Sequence, residues 1–549
     1  PADYSAAVNS PLPVMPARPA HDAHDAFGMN THLGYQNPEN TNRFTEETVD
    51  LLLELGVGKV RQKLYCDENR SLNAARSGLS RLMAAGVTVC APTLIDDDAT
   101  SLEVARTRMD LFLDELERNP DTYDLRLIEA FPGLNEPNGG KKATVAWAQQ
   151  TRWAQQAIYE QTRARHAFDH VAVQGPPLNR RGGRGAQGVG GRNPGARQQP
   201  QAAAGLSREE RRAQRVAGRL TPEERQERRA AGGGRLTREE RQAQRAAGRL
   251  TPEERQAQRA ERQQNRRGGP APGQAGPVRG FEAVLSSDAA EVGDISHWVD
   301  RADMHIYPGD QDTFNGGPPQ AFVEAVRGMY LAGRPVSVTE SGWSNCSPDD
   351  PDGQAYTGGG KSCPESVTAK YAPKAPLNAL LLGHQAIYAY VMLENQPPYA
   401  DAGHNLRSSK FGYIRTPGLE PSTWERKAQF HAMRRFLALF ADPGPAFQPA
   451  GLPLGIAADC PDLQSMLFQR RTGQHLLALW RTVDLYACDP KTNAGSYLQI
   501  PPAKVTVTVD GDRPLELFQP SFKDGSGGIW KTASLTLDVG DELLVLAIG

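Results

Sequence analysis

The chain of 549 residues has no run of 18 or more apolar residues, so no helical membrane span is expected. No signal peptide is visible, as expected where a leader has been removed. Cysteine is scarce: there are six, and neither close pair has zinc-type spacing, so no metal is expected. No motif calls for an organic cofactor. A strong charge of either sign is also missing, since 62 basic and 64 acidic residues leave a net of −2.

That neutrality averages two unlike parts. Residues 179–280 hold 24 Arg and 10 Glu, a net of +14, and the remaining 38 basic and 54 acidic residues give −16. The basic block repeats itself from Leu206, Leu220, Leu236 and Leu250, each followed by a Ser or Thr N-cap with Glu at the third helical position. Its leucines are too sparse for an apolar stripe, so solvated arms or disorder are expected. An anionic polymer is its candidate partner. Nucleic acid is disfavoured, because the block has no aromatic residue on which bases could stack.

Outside the block, strand-like segments begin near Phe27, Lys59, Val87, Leu125, Val171, Ala302, Pro335 and Ile387. Helical patterns lie between them, such as Thr45 to Leu55 and Ser101 to Arg118. Eight such alternations predict parallel strands with crossover helices. The fold expected is a (β/α)8 TIM barrel over 26–443, interrupted after strand five by the 179–280 insertion. After Phe440 the texture is strand and turn only, which predicts a β-sandwich over 444–549. Residues 1–25 read as a tail, including the metal-like run His21-Asp22-Ala23-His24-Asp25.

The cysteines suggest a compartment. Cys346 and Cys363 bracket one loop, and Cys460 and Cys488 bracket a hairpin-like stretch. Both pairs are expected as disulfides, which implies a secreted, periplasmic or cell-surface protein. Cys66 and Cys90 would lie near the ends of adjacent strands, and their pairing stays open.

Two motifs carry chemistry. Leu134-Asn135-Glu136-Pro137 and Val338-Thr339-Glu340-Ser341-Gly342-Trp343 each put a glutamate just past an apolar run. They stand 204 residues apart, or 102 without the basic block. At roughly 31 residues per strand–helix unit that gap is about three units, which puts the glutamates on strands four and seven. Two carboxylates at parallel strand ends suit glycoside cleavage, one as acid and one as nucleophile.

The full set of residues 26–440, less the insertion, resembles a retaining glycoside hydrolase of clan A, with families five and thirty-nine nearest in pattern. The resemblance implies Glu136 as acid/base and Glu340 as nucleophile. It also implies Tyr307, in His305-Ile306-Tyr307, as a nucleophile contact and Arg61 as the group that keeps the nucleophile ionised. Asn135 would meet the sugar 2-hydroxyl, with His305 as a wall residue. The strand-eight tryptophan of the pattern is missing from Tyr390-Val391-Met392-Leu393-Glu394-Asn395. Trp343 is the candidate replacement, and Glu394 a candidate substrate contact. The expectation is a retaining hydrolase of a plant or microbial polysaccharide or oligosaccharide. The alternative is a non-catalytic carbohydrate-binding or surface-adhesion protein on a barrel scaffold.

Overall fold

The structure, a computed structural model, describes residues 12–34, 41–64, 72–95, 99–138, 146–178, 281–312, 325–330, 334–346, 362–394, 409–489, 495–522 and 524–549. The 179–280 insertion and Cys66 lie outside the described residues. Apart from residues 183–279, the chain forms one compact unit.

Two short strands come first, β1 (Val14–Met15) and β2 (Ala17–Pro19). Eight parallel strands follow: β3 (Phe27–Asn30), β4 (Lys59–Arg61), β5 (Thr88–Cys90), β6 (Ile128–Pro132), β7 (Ala172–Gln174), β8 (Ala302–Ile306), β9 (Val336–Ser341) and β10 (His384–Ala389). They pair in sequence order, and β10 pairs back onto β3. A parallel bridge from Gln174 to Arg301, with Gly175 N–H donating to Arg301 O at 2.9 Å, closes the seam between β7 and β8. The result is the expected barrel, whose strand ends form one mouth.

The helices between the strands are amphipathic. The helix Leu102–Arg118 is capped by Ser101, whose Oγ accepts Val104 N–H at 3.2 Å. It buries Ala105, Met109, Phe112, Leu113 and Leu116, a single helical face. The helix Thr45–Leu55 ends at Gly56, whose φ of 79° suits a residue without Cβ. Inside the barrel, Cys90, Ala130, Ala172, Ala386 and Tyr388 pack together. A Cβ on Gly28 would stand 2.3 Å from the Tyr388 ring, so that strand passes the ring only as glycine. Tyr388 donates to Glu129, which also pairs with Lys59 at 3.0 Å and Arg301 at 3.4 Å. Glu129 is therefore part of a closed ion cluster in the barrel.

Beyond the barrel come the small hairpin β11 (Ile414–Arg415) and β12 (Glu425–Arg426), then β13 (Leu452–Ala458), β14 (Leu463–Gln469) and β15 (His475–Arg481). A second small hairpin pairs β16 (Tyr486–Cys488) with β17 (Gly495–Tyr497), and β18 (Ala503–Phe518), β19 (Ser526–Val539) and β20 (Leu544–Ile548) complete the strands. Hydrogen bonds run through one continuous mixed sheet in the order β1-β13-β18-β20-β15-β14-β2, with β19 on β18. The separate sheets of a sandwich are joined because β18 is 16 residues long and its two halves pair with different strands, β13 and β20.

The tail reading is corrected. Residues 14–25 form β1, β2 and the helix Ala20–Asp25. Two and three residues are too short for a strand pattern to register in sequence; pairing with β13 and β14 holds them. His24 is buried against the barrel, with Nε2 3.0 Å from Gly56 O. The disulfide expectation is corrected too. Among the described residues no bridge joins Cys346 to Cys363 or Cys460 to Cys488. Half-buried Cys460 has Sγ 2.8 Å from Asp462 Oδ1, while Cys488 is packed in a core cluster with Cys363. No described helix is long and apolar enough to cross a membrane.

The C-terminal sheet packs on the barrel helices through Phe436, Phe440, Phe468, Leu476 and Trp480, which share one core. A buried polar knot pins the same contact. Lys374 Nζ reaches Asp312 at 2.7 Å with both side chains fully buried, and donates to Arg481 O at 3.2 Å. Asn378 donates to Asp312 and accepts from Trp480 Nε1 at 2.8 Å. Lys374→Met strips Asp312 of its ammonium, so unfolding by denaturant should show a loss of about 3–5 kcal/mol. A loss below about 1 kcal/mol would mean that the pair is not charged in the fold.

Candidate active site

The site is built from polar residues at the C-terminal ends of barrel strands. Asn30 ends β3, Arg61 ends β4, Asn135 and Glu136 follow β6, His305 and Tyr307 come from β8 and its exit, and Glu340 lies in β9. Glu136 and Glu340 thus belong to the fourth and seventh barrel strands.

A local irregularity aims Glu340. In β9, Ser337 and Thr339 are buried on the alternation that faces the barrel, and a regular strand would turn residue 340 the other way. Against β8, Met304 pairs with Val338 but His305 pairs with Glu340. Against β10, Ile387 pairs with Val338 but Ala389 pairs with Ser341. Strand β9 therefore carries one extra residue, a bulge that lets Thr339 and Glu340 both reach inward. Gly342, next but one, has φ of 151°, and a Cβ there would lie 2.8 Å from Tyr390 O. Glu136 is held by Pro177 O, which accepts its N–H at 3.1 Å. It is the one described non-glycine residue with positive φ, at 50°. Such backbone stores strain and is found where a side chain must be aimed.

The hydrogen bonds converge. Arg61 Nη1 donates to Glu340 Oε1 at 2.7 Å and to Asn30 Oδ1 at 3.1 Å, while Nη2 donates to Asn135 Oδ1 at 2.6 Å. Tyr307 O–H donates to Glu340 Oε2 at 2.8 Å. His305 Nδ1 lies 2.9 Å from Glu136 Oε1 and 3.5 Å from Glu340 Oε2. One ligand atom each of Glu136, His305 and Glu340 lies within 4.8 Å of the other two. Burial alone would raise the Glu340 carboxyl, but the His305 and Arg61 charges and the Tyr307 and Arg61 hydrogen bonds hold it below its ordinary value. Burial would likewise lower His305, yet the Glu340 charge and the Glu136 contact carry it upward. His32, half-buried beside this cluster, is pushed down to about 4 by desolvation, against the pull of Glu340. The site so holds a carboxylate between two cations and next to a second carboxyl.

Two expected residues stand elsewhere. Trp343 is buried, stacks on Tyr371 at 5.4 Å and donates Nε1–H to Gln311 O, so its ring has no exposed face for a sugar. Glu394 is buried between Lys427 at 2.5 Å and Lys410 at 3.1 Å, an internal ion pair and not a surface of the cleft. Just past β10, half-buried Tyr390 places its ring 6.2 Å from that of Tyr307, the tyrosine that donates to Glu340. A search of this segment for tryptophan passes over it. Asn30, Asp303 and Thr339 also escape sequence reading; a polar side chain at a strand's C-terminal end is the signal that would find Asn30.

The sequence matches no protein-family profile and no curated protein sequence. The structure is similar to a glucosidase from Croceicoccus marinus, at 8% identity over 98% of this chain and 97% of that one, with a TM-score of 0.48. It is similar to an endo-β-1,6-glucanase at 10% identity over 98% and 92%, TM-score 0.40. A β-glucosidase from Exiguobacterium marinum is similar at 13% identity over 76% and 98%, TM-score 0.39. Barrel and strand-end motifs together resemble the clan A glycoside hydrolases.

The close approach at Gly342 generates a test. Gly342→Ala should lower stability by about 1–3 kcal/mol in urea titration, since a Cβ meets the Tyr390 carbonyl in a backbone conformation foreign to alanine. A variant as stable as the wild type would show that β9 and β10 do not meet so closely.

Proposed function

We propose that this chain is a retaining glycoside hydrolase, cleaving a glycosidic bond in a polysaccharide or oligosaccharide by double displacement. The observation that carries the reading is Glu340, a buried carboxylate kept charged by Arg61 and Tyr307 with Glu136 across a gap of a few ångströms. Carboxyl groups about 5–5.5 Å apart suit direct attack on the sugar, whereas about 6.5–9.5 Å leaves room for a water between. Oxygens within 4.8 Å of each other support the first.

The roles follow from that geometry. Glu340 attacks the anomeric carbon as the bond to the leaving oxygen breaks, and Glu136 gives that oxygen its proton. The product is a glycosyl ester on Glu340. Water then attacks the anomeric carbon of that ester, the bond from that carbon to Glu340 breaks, Glu136 takes the water's proton, and Glu340 leaves as carboxylate. Asn135 Oδ1 is occupied by Arg61, which leaves the amide N–H groups for the sugar 2-hydroxyl. Tyr390 offers its ring as the floor under the reacting sugar. Polysaccharide and oligosaccharide substrates fit a mouth lined by such donors and an aromatic face.

The test is proton NMR of the first product formed from a panel of aryl glycosides. Retention of anomeric configuration is expected, and inversion would overturn the mechanism. Glu340→Ala should abolish turnover. Glu136→Ala should cost about 10²–10⁴-fold on substrates with poor leaving groups. The pH dependence has a definite sign. Glu340 must be ionised, and its lowered value places the loss of activity on the acid side. Tyr307→Phe removes a bond to the charged form, so the acid limb of kcat/KM should move to higher pH; a limb that stays in place would separate Tyr307 from the nucleophile's charge.

A further inference from the structure

Deeper in the barrel, behind the carboxyl pair, lies an acid that the reaction as written does not use. Asp303 in β8 is 1% exposed. Thr339 Oγ1 lies 2.7 Å from its Oδ1 and 2.9 Å from its Oδ2, and Thr339 N–H donates to Oδ1 at 3.3 Å. A threonine hydroxyl has one proton. Once Thr339 donates it to Asp303, Oγ1 can only accept. The ring nitrogen 3.2 Å away is His305 Nε2, which must then carry hydrogen. That orientation is the one that sets His305 Nδ1 at 2.9 Å from Glu136 Oε1. Carboxylate, hydroxyl, imidazole and carboxyl form a direct chain of four side chains, with a hydrogen bond at each link.

The charged groups facing Asp303 are few. His305 is on its own strand, Arg61 comes from β4, and the uncharged Cys90, Tyr330 and Thr339 come from β5, the segment before β9, and β9 itself. Burial pushes the carboxyl up to about 6, and His305, Arg61 and the Thr339 bond restrain it. Thr339 shares with Ser337 the alternation that faces the barrel, and the β9 bulge turns Glu340 inward beside it.

We propose that Asp303 is a positioning residue for the proton of the acid/base. Through the Thr339 hydroxyl it keeps His305 Nε2 protonated and Nδ1 turned to Glu136, and its negative charge strengthens the hold of the His305–Glu136 pair on their proton. The proposal rests on the glycosidase reading for its kinetic consequence but not for its effect on His305. Two interacting groups titrate as a unit, and a negative charge removed nearby makes that unit release its proton at lower pH.

Two measurements on the full chain test it. In protein labelled with ¹⁵N-histidine, Asp303→Asn should lower the titration of His305 by about one pH unit. That readout needs no activity. An unchanged His305 titration overturns the proposal. In kinetics, Thr339→Val should cut kcat on the order of 10-fold for an aryl glycoside with a poor leaving group and leave a dinitrophenyl glycoside, whose departure needs no acid, nearly unaffected. Thr339→Ser should restore the rate, and the alkaline limb of kcat/KM in Asp303→Asn should move acidward by about one unit. Equal losses on both leaving groups in folded variants, with the alkaline limb in place, reduce Asp303 and Thr339 to structural residues and overturn the proposal. If Asp303→Asn does not fold, the Thr339→Val and Thr339→Ser pair decides alone. Failure of the glycosidase reading looks different: wild type and Glu340→Ala would then be equally inert on the dinitrophenyl glycoside, while the histidine titration still answers for Asp303.

Discussion

The mouth of the barrel depends on the contact between Arg61 and Glu340. A guanidinium and a carboxylate taken out of water together lose hydration that only good geometry and further hydrogen bonds can offset. Arg61 finds three oxygen acceptors from three separate elements: Asn30 of β3, Asn135 beyond β6 and Glu340 of β9. Fixed this way, the cation sets the distances among groups that lie more than 200 residues apart in sequence. Tyr307 then donates to the same carboxylate, and His305 Nδ1 stands 3.5 Å from it. Each neighbour is useful because the arginine already stands in place.

The bulge in β9 gives one strand two tasks. A regular strand would have put either Thr339 or Glu340 inside, and the other among the helices. With one residue inserted, Glu340 meets the opening while Thr339 meets the buried layer of Asp303, Gln174 and Ser337. The polar lower layer and the polar mouth are therefore connected through the side chains of adjacent residues. His305 is the link between them, touching Thr339 with one ring nitrogen and the carboxyl pair with the other.

Much of the barrel was legible because its strands are short apolar runs bounded by amphipathic helices. The runs at Phe27, Lys59 and Ala302 start where β3, β4 and β8 start, and the helix read from Thr45 to Leu55 has those bounds. The glutamates were legible as motifs because each stands beside turn-forming residues after an apolar run. What escaped were features made by pairing. The bulge depends on register against β8 and β10, which no single segment contains. Asp303 and Thr339 look like ordinary strand residues until the barrel closes around them. Trp343 sits near Glu340 in sequence yet belongs to the core with Tyr371, while Tyr390, far away in sequence, lies beside Tyr307. Residues 14–19 were read as tail because their partners lie more than 400 positions downstream.

Those same residues tie the second sheet into a loop. Strands β1 and β2 are separated only by Pro16, yet they stand at opposite ends of the strand order, one on β13 and the other on β14. Two neighbouring residues span only about 7 Å, so the edges they cover must have come together. During synthesis, β13 and β14 emerge with open hydrogen-bonding edges, templates for unwanted pairing until covered. Residues 14–19, which cover them in the fold, leave the ribosome hundreds of residues earlier. Closure spans nearly the whole sequence and is the slowest kind of contact to form. An early segment thus serves as the seal on strands made more than 400 residues later, and a fragment beginning at the barrel would expose two raw edges at once.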